Sequence, residues 1–365
     1  MFNPSMLVLA REAAGLTQSS LAHQVDVSQA RISKLEGGFD QPSSDLVAAV
    51  ARECSVPVEF FEQRDSILGE GIIEFFHRRR RTLPAKPLTK AHATSNIIRL
   101  ELSRLLRGVE MVDVAAFPVA PEGEDLTPAE AAALARAVWR LPPGPLPDLT
   151  ALVEAAGVPV VQMSLGHEKL RAISMPGPDG RHLIILNRDL PPSNQRYSLA
   201  HELGHLAMHY TAVTPEIEAE ADAFAAALLA PATDIINDLR GLRFRDLGPL
   251  KQKWRMSMQA LIRTASDLDC ISDRQYRTFN MEMNRLPGGR KREPGEFPRE
   301  EPRFVRWVIN YYREQLGYAV GEIAQLMVAN EERVRTFYLG EPMGGQRGLR
   351  VIGRPAIGVA HASRG

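Results

Sequence analysis

The stretch AHELGH at residues 200–205 decides the fold of this chain, and the acidic segment EAEAD follows it at residues 218–222. The apolar run at residues 182–186 predicts a strand, and residues 193–209 have the length and apolar spacing of a helix. The motif His-Glu-x-x-His is therefore predicted to lie on a helix that follows a strand.

Two histidines of this helix are spaced for a shared ligand. His201 and His205 are four residues apart, so their imidazoles project from one face and can reach a single metal ion. Glu202 lies beside them, where a carboxylate can take a proton from an attacking water. A catalytic zinc needs three protein ligands and one open position. The spacing predicts a zinc site with Glu202 as the general base.

The third ligand is expected from the acidic helix predicted just downstream. Glu218 and Asp222 share a face of that helix, so Glu218 could bind the metal while Asp222 orients His201 through its other ring nitrogen. Glu216 and Glu220 are alternatives to Glu218, and periodicity does not choose among the three. A coincidental match on a helix surface is the competing interpretation, but the strand, the helix and the acidic helix all favour a metal site.

The same region resembles the ImmA/IrrE metallopeptidases. Their pattern is an Ala-His-Glu-x-Gly-His helix, then Glu-x-x-Ala-Asn/Asp-x-Phe-Ala and a Leu-Leu-x-Pro ending. YSLAHELGHLAMH and EAEADAFAAALLAP are similar to it and lie within about residues 150–235. The resemblance implies that His201, His205 and Glu218 bind zinc and that Glu202 is the catalytic base. Ala230 stands where the family often has Met, which affects no ligand.

A small helical domain is predicted at residues 1–66. LTQSSLAHQVDVSQARISKLEGG contains two predicted helices, at residues 17–25 and 28–36, each starting at a residue suited to an N-cap. The segment resembles the Cro/C1-type (Xre) helix-turn-helix domains, which implies that the second helix enters the major groove of double-stranded DNA. Gln18 is placed for a phosphate contact. The residues predicted to meet base edges are Ser28, Gln29, Arg31, Ser33 and Lys34.

The net charge of this domain does not favour DNA binding, but the charge of its second helix does. Residues 1–66 contain more acidic than basic side chains, so a protein-binding helical module is the alternative interpretation. Arg31 and Lys34 nevertheless keep the exposed face of the second helix positive. One helix-turn-helix reads half of an operator, so a homodimer is expected.

The remaining chain is predicted to be mainly helical. Residues 67–108 are predicted to form a basic helical linker, because residues 77–108 contain nine Lys or Arg and a single acid, Glu101. Pro84 and Pro87 indicate a break before a helix at residues 90–107. The predicted fold class is mainly α with a small β-sheet (α+β). Its further parts are a central zincin-like peptidase domain at residues 109–235, a C-terminal helical module at 236–340 and a disordered tail at 341–365.

Composition gives few further constraints. The formal net charge of the 365 residues is zero, so it indicates no class of partner. Cys54 and Cys270 are the two cysteines and are predicted to be free thiols in a reducing compartment. No signal peptide or membrane span is predicted, which favours a cytoplasmic protein without a membrane partner.

Two functions are compatible with this organisation. The first is a bacterial-type DNA-binding transcription regulator whose zinc peptidase domain cleaves a partner protein, such as a repressor, held as an extended peptide on the edge of the sheet. The second is a transcription factor whose peptidase-like domain senses a ligand or partner without proteolysis. A plain repressor with a structural zinc is disfavoured by the open fourth position of the metal site.

Overall fold

The computed structural model describes residues 1–68, 84–109, 115–119, 126–177, 181–208, 216–289 and 292–342. Several features of the sequence lie outside these ranges. They are the four arginines at residues 78–81, His209, the centre of the turn at residues 178–180 and almost all of the predicted tail. None of the helices in the described ranges combines the length and apolar character that crossing a membrane requires.

The N-terminal domain is entirely helical, as predicted. The boundaries expected for the helix-turn-helix are confirmed, because Thr17 accepts a hydrogen bond from the backbone N–H of Ser20 (3.0 Å) and Ser28 accepts one from Arg31 (3.3 Å). The elements of this domain are α1 (Pro4–Ala14), α2 (Gln18–Gln24), α3 (Gln29–Glu36), α4 (Ser44–Glu53) and a 3₁₀ turn (Val58–Glu62).

Helix α5 (Ala85–Arg107) begins earlier than the sequence predicted. The start expected near residue 90, beyond both prolines, is wrong. Pro84 precedes the helix, and Pro87 lies in its first turn, where backbone N–H groups have no partner within the helix. A proline there removes no hydrogen bond, so the helix continues through it.

The central domain contains one three-stranded sheet, as predicted. The strand order is β1-β3-β2, with β1 parallel and β2 antiparallel to β3, so β2 is an edge strand. The predicted hairpin is confirmed by the pairing of Ile173 with Ile185. The elements of this region are α6 (Pro128–Val138), α7 (Leu149–Ala155), β1 (Val160–Met163), β2 (Ala172–Pro176), β3 (His182–Asn187), α8 (Pro192–Met208), α9 (Ile217–Leu229), α10 (Ala232–Leu239), α11 (Leu247–Trp254), α12 (Met258–Asp267) and α13 (Asp273–Arg285).

The sheet is buried on both faces. Alternating side chains of its strands, such as Ala172 and Ile184, join a core that extends from α6 to α13. The opposite face, including Ile173 and Ile185, packs against α5 and the last helices of the chain. Those last elements are α14 (Phe304–Glu314), α15 (Val320–Met327), α16 (Glu331–Arg333) and a π-helical turn (Val334–Tyr338).

Helix α5 belongs to two cores. Ala93 and Ile97 are buried against the N-terminal domain, whereas Ile98 and Leu102 are buried against the sheet and α14–α15. Its single acid, Glu101, is also buried. Burying a charge is costly unless it is paired, and Glu101 accepts hydrogen bonds from Arg333 at 2.7 and 3.1 Å. The helix assigned to a linker is thus packed on both sides, while the domain boundaries themselves remain predictions.

Residues 292–303, here named the strap, are the larger part of the polar segment at residues 288–303 that connects two helices. Its carboxylates bind the N-terminal ends of separate helices, where unpaired N–H groups accumulate. Glu293 accepts from the N–H of Met258 (2.7 Å) on α12, and Glu296 accepts from Ser193 (3.1 Å) on α8. Glu300 accepts from Thr150 (3.0 Å) on α7. Three glutamates of the strap are therefore hydrogen-bonded to the starts of three helices of the central domain.

Candidate metal centre and nucleic-acid interface

The metal-binding motif lies on α8, which packs closely against α9. Gly204 permits this approach, because a Cβ atom there would lie 3.0 Å from the ring of Phe224 and 3.2 Å from Cα of Ala221. A larger residue would push the two helices apart. The glycine of the motif therefore determines how near the acidic residues of α9 come to the histidines of α8.

Three ligand atoms from these two helices converge. His201 Nε2 and His205 Nε2 are 3.1 Å apart, and Glu218 places its carboxylate oxygens 3.4 Å from His205 and 3.7 Å from His201. In a tetrahedral site with bonds of about 2.1 Å, ligand atoms lie about 3.4 Å from one another. Two imidazoles and one carboxylate also form the ligand set typical of catalytic zinc. The arrangement therefore fits a zinc ion with one open position.

Glu218 is distinguished from the other candidate glutamates by its position. Among the described residues, the group of convergent ligand atoms contains His201, His205 and Glu218, and it includes neither Glu216 nor Glu220. Periodicity left these three glutamates equivalent, because it says nothing about which side of α9 faces α8. The packing of the two helices supplies that information.

Asp222 lies behind His201, as the sequence anticipated. The His201 Nδ1 atom is 2.9 Å from Asp222 Oδ1, which directs Nε2 toward the other ligand atoms. Burial lowers the pKa of His201, but the hydrogen bond to Asp222 and the neighbouring carboxylates raise it more, so the pKa lies above its ordinary value. Tyr197 donates a hydrogen bond to the backbone carbonyl of Asp222 (3.1 Å) and ties α8 to α9.

Glu202 is buried beside this group and has a partner that sequence reasoning missed. Ser174, on the edge strand β2, donates a hydrogen bond from its hydroxyl to Glu202 Oε2 (2.6 Å). Ser174 points toward α8 because its neighbours Ile173 and Met175 face the other side of the sheet. The strand alternation was visible in the sequence, but the pairing with Glu202 depends on how α8 lies across the sheet.

A cleft of about 1160 Å³ opens over these residues. The cleft is lined by His201 and Glu202, by the start of β2 and by Arg292 and Arg299 of the strap. The segments that bound the cleft are therefore more than 100 residues apart in the chain. No local pattern in the sequence of the strap indicates that it lines the cleft.

The predicted base-contacting residues lie on one exposed surface. Ser28, Gln29, Arg31, Ser33 and Lys34 are all exposed on or at the start of α3, while Ile32 and Leu35 of the same helix are buried. Arg31 Nε lies 3.5 Å from Asp40, which offsets part of its charge. The second helix of the helix-turn-helix thus presents its polar side outward.

Gln18 is placed differently from the other predicted contacts. Its side-chain amide donates to Glu36 (2.7 Å) and its carbonyl accepts from Gln29 (2.7 Å), so it is half-buried between α2 and α3. Glu36 also accepts a hydrogen bond from Arg11 (3.2 Å). Gln18 therefore fixes the orientation of Gln29.

Comparison with protein families assigns both regions. Residues 7–61 match the family model described as helix-turn-helix, and residues 153–266 match the one described as an IrrE N-terminal-like domain, a peptidase family. The chain joins a helix-turn-helix domain to an IrrE-like domain. The predicted combination and the α+β fold class are thus confirmed. No curated protein and no solved structure shows significant similarity to the chain. The two matches indicate a DNA-binding regulator with a peptidase-like domain.

Proposed function

We propose that this protein is a transcription regulator whose IrrE-like domain is a zinc-dependent endopeptidase that cleaves a partner protein, such as a repressor. The observation that carries the proposal is the convergence of the His201, His205 and Glu218 ligand atoms, with the buried Glu202 beside them. The cleft above them is large enough for a segment of polypeptide.

His201, His205 and Glu218 would hold the zinc ion, whose Lewis acidity polarises a scissile carbonyl and makes a water more acidic. The role of Asp222 is to fix the His201 ring through the contact at Nδ1. This contact keeps Nε2 directed at the metal position. The four residues form a rigid unit because they come from two closely packed helices.

Glu202 supplies the proton transfers. Ser174 occupies Oε2, which leaves Oε1 to accept a proton from the attacking water. As the peptide C–N bond breaks, Glu202 passes this proton to the leaving nitrogen, so that the products are a carboxylate and an amine. The substrate backbone would pair with the open edge of β2, which borders the same cleft.

The helix-turn-helix domain would bind an operator in double-stranded DNA. In this proposal Gln29 and Arg31 read base edges in the major groove, and Gln18 contacts a phosphate. Because a single domain reads one half-site, the binding species is expected to be a homodimer.

A second candidate is a sensor that regulates DNA binding without cutting. It is favoured by α5, which contributes Ile97 to the core of the N-terminal domain and Ile98 to the core on the sheet. A ligand or peptide that shifts the sheet would move α5 and so change the packing of α5 against the helix-turn-helix domain. This candidate uses the same cleft but requires no proton transfer by Glu202.

The two candidates are separated by Glu202→Gln, which keeps the ligand set and removes the base. We expect cells producing the wild type to contain new protein N-termini that are missing with Glu202→Gln, as mapped by mass spectrometry. Glu216→Gln, outside the ligand group, is the matched control and should cut like the wild type. Identical N-termini with the wild type and Glu202→Gln would exclude the proposed mechanism and leave the sensor.

A further inference from the structure

We propose that the cleft of the IrrE-like domain selects peptide segments rich in Asp and Glu, which bind to Arg171 and Arg299 in its lining. The inference rests on the proposed function only in assuming that the bound polypeptide is a substrate. Its basis is that, among the described residues, the arginines that line the cleft have no carboxylate within ion-pair distance.

The two carboxylates of the strap that line the cleft share one positive charge. Glu293 and Glu296 face the cleft, but both contact Lys251, which is fully buried, with the Glu293 carboxylate 3.1 Å from the Lys251 ammonium. The same two carboxylates accept backbone N–H groups at the starts of α12 and α8. Their negative charge is therefore committed within the fold.

The carboxylates on the other side of the cleft are committed to the metal centre. Glu202 accepts the Ser174 hydroxyl, Asp222 contacts His201, and Glu218 contacts both histidines. A bound zinc ion would neutralise this group further. Asp189 accepts a hydrogen bond from Ser164. Glu168 and Lys169 also line the cleft, and their opposite charges cancel.

The arginines of the cleft have no such compensation. Within the described ranges, no carboxylate lies within ion-pair distance of Arg171, Arg292 or Arg299. Arg299 is held in place by the backbone carbonyls of Arg188 (2.7 Å) and Leu190 (3.4 Å), which are neutral acceptors. Its guanidinium is thus oriented while its charge remains available to a ligand.

Arg171 also lines the cleft and directly precedes the edge strand β2. Burial raises the pKa of Tyr197 above its ordinary value, and the positive charge of Arg171 acts in the opposite direction. That charge therefore reaches Tyr197, which is one helical turn before His201 on α8. A peptide lying along β2 would pass Arg171 as it approaches the metal centre.

A peptide explains this arrangement better than the other common polyanion, a nucleic acid strand. The edge strand β2 offers backbone hydrogen bonds to an extended peptide. Single-stranded nucleic acid is bound by stacking bases on aromatic rings, and the described lining of the cleft contains one aromatic residue, Tyr197. Acidic side chains would form charge-assisted hydrogen bonds with the two guanidinium groups.

The test measures binding of labelled peptides to zinc-loaded, full-length Glu202→Gln protein by fluorescence anisotropy. Three peptides of equal length share one apolar framework and carry Asp, Asn or Lys at the same positions. We expect the Asp peptide to bind about tenfold more tightly than the Asn peptide, and the Lys peptide to bind most weakly. The preference should shrink when the salt concentration is raised to about 0.5 M.

The variant Arg171→Gln/Arg299→Gln, built in the same protein, should remove most of the preference for Asp. Arg274→Gln, an exposed arginine of α13 far from the lining, is the matched control and should keep it. Equal affinity for the three peptides, or a preference unchanged in the double variant, would overturn the inference. A single-stranded oligonucleotide that displaces the Asp peptide at similar concentration would also overturn it, in favour of a nucleic acid ligand.

Different experimental results would contradict this inference and the proposed function. Digestion of a peptide library by the wild type, analysed by mass spectrometry, tests cutting. Cleavage without enrichment of Asp and Glu near the cut bond would overturn the inference and leave the peptidase. Tight binding of the Asp peptide without cleavage of any library peptide would support acidic recognition and contradict the proposed chemistry.

Discussion

The helix-turn-helix domain and the IrrE-like domain build their functional surfaces in different ways. In the first, the predicted DNA contacts come from adjacent turns of two short helices, and their exposure follows from the local helical pattern. In the second, the candidate centre joins α8, α9, β2 and a strap about 100 residues further along the chain. The difference indicates that local periodicity is sufficient to locate the first surface, whereas the second depends on tertiary packing.

The largest expected effect concerns Glu154 on α7, whose carboxylate accepts hydrogen bonds from the last residue of the strap and from the residue after it. Burial raises the pKa of Glu154 to about 7, although the backbone N–H groups of Arg303 and Phe304 act against it. Because the folded pKa lies above the unfolded value of about 4.3, the folded protein binds more protons between these two values. Stability should therefore be highest below about pH 4.3 for this group and fall by up to about 3 kcal/mol as the pH rises to about 7.

Chemical denaturation at a series of pH values measures this effect in the wild type and in Glu154→Gln. The difference in unfolding free energy between them should change across that window and stay constant above it. A difference that is independent of pH would show that Glu154 does not titrate as the packing of the strap requires.

Asp222→Asn tests the contact between α8 and α9 at the metal centre. An amide at this position is a weaker partner for the His201 ring, so zinc affinity should fall by about 10- to 100-fold. Competition with a coloured chelator measures the affinity, with Glu216→Gln as the control from the same region. Unchanged zinc affinity in Asp222→Asn would contradict the orienting role of this carboxylate.

Arg31→Ala tests the local surface of the helix-turn-helix domain. Loss of one base contact should weaken binding to a duplex selected from a random library by about 1–3 kcal/mol. Arg52→Ala removes an exposed arginine from α4 and is the matched control. Equal losses in the two variants, measured by titration with labelled duplex, would place the recognition surface elsewhere.

Ser174→Ala has the smallest expected effect. The hydroxyl donates to Glu202, so a positioning role predicts that removing it lowers kcat by about tenfold with little change in KM. Ser174→Thr keeps the hydroxyl and should recover most of the rate, while zinc content stays constant in both variants. A change in KM alone would assign Ser174 to substrate binding.

The sequence was sufficient for features that depend on neighbouring residues. It located the two helices of the helix-turn-helix, the strand before the His-Glu-x-x-His motif and the helix that carries His201 and His205. These features follow from periodicity and capping, which act within one or two turns.

The sequence was insufficient where partners are distant in the chain. It could not choose Glu218 over its neighbours, because that choice depends on the approach of α9 to α8 at Gly204. It did not find Ser174 as the partner of Glu202. It also did not reveal the contacts of the strap, because the composition of a charged segment does not show that its carboxylates bind the ends of distant helices.

The metal content of the purified protein tests the central claim most directly. Elemental analysis should find about one zinc per chain in the wild type and in Glu216→Gln, and almost none in His205→Ala, which removes one ligand. Circular dichroism should show that all three proteins are folded. A folded wild type that contains no zinc and takes up none on addition of the metal would contradict the proposed centre.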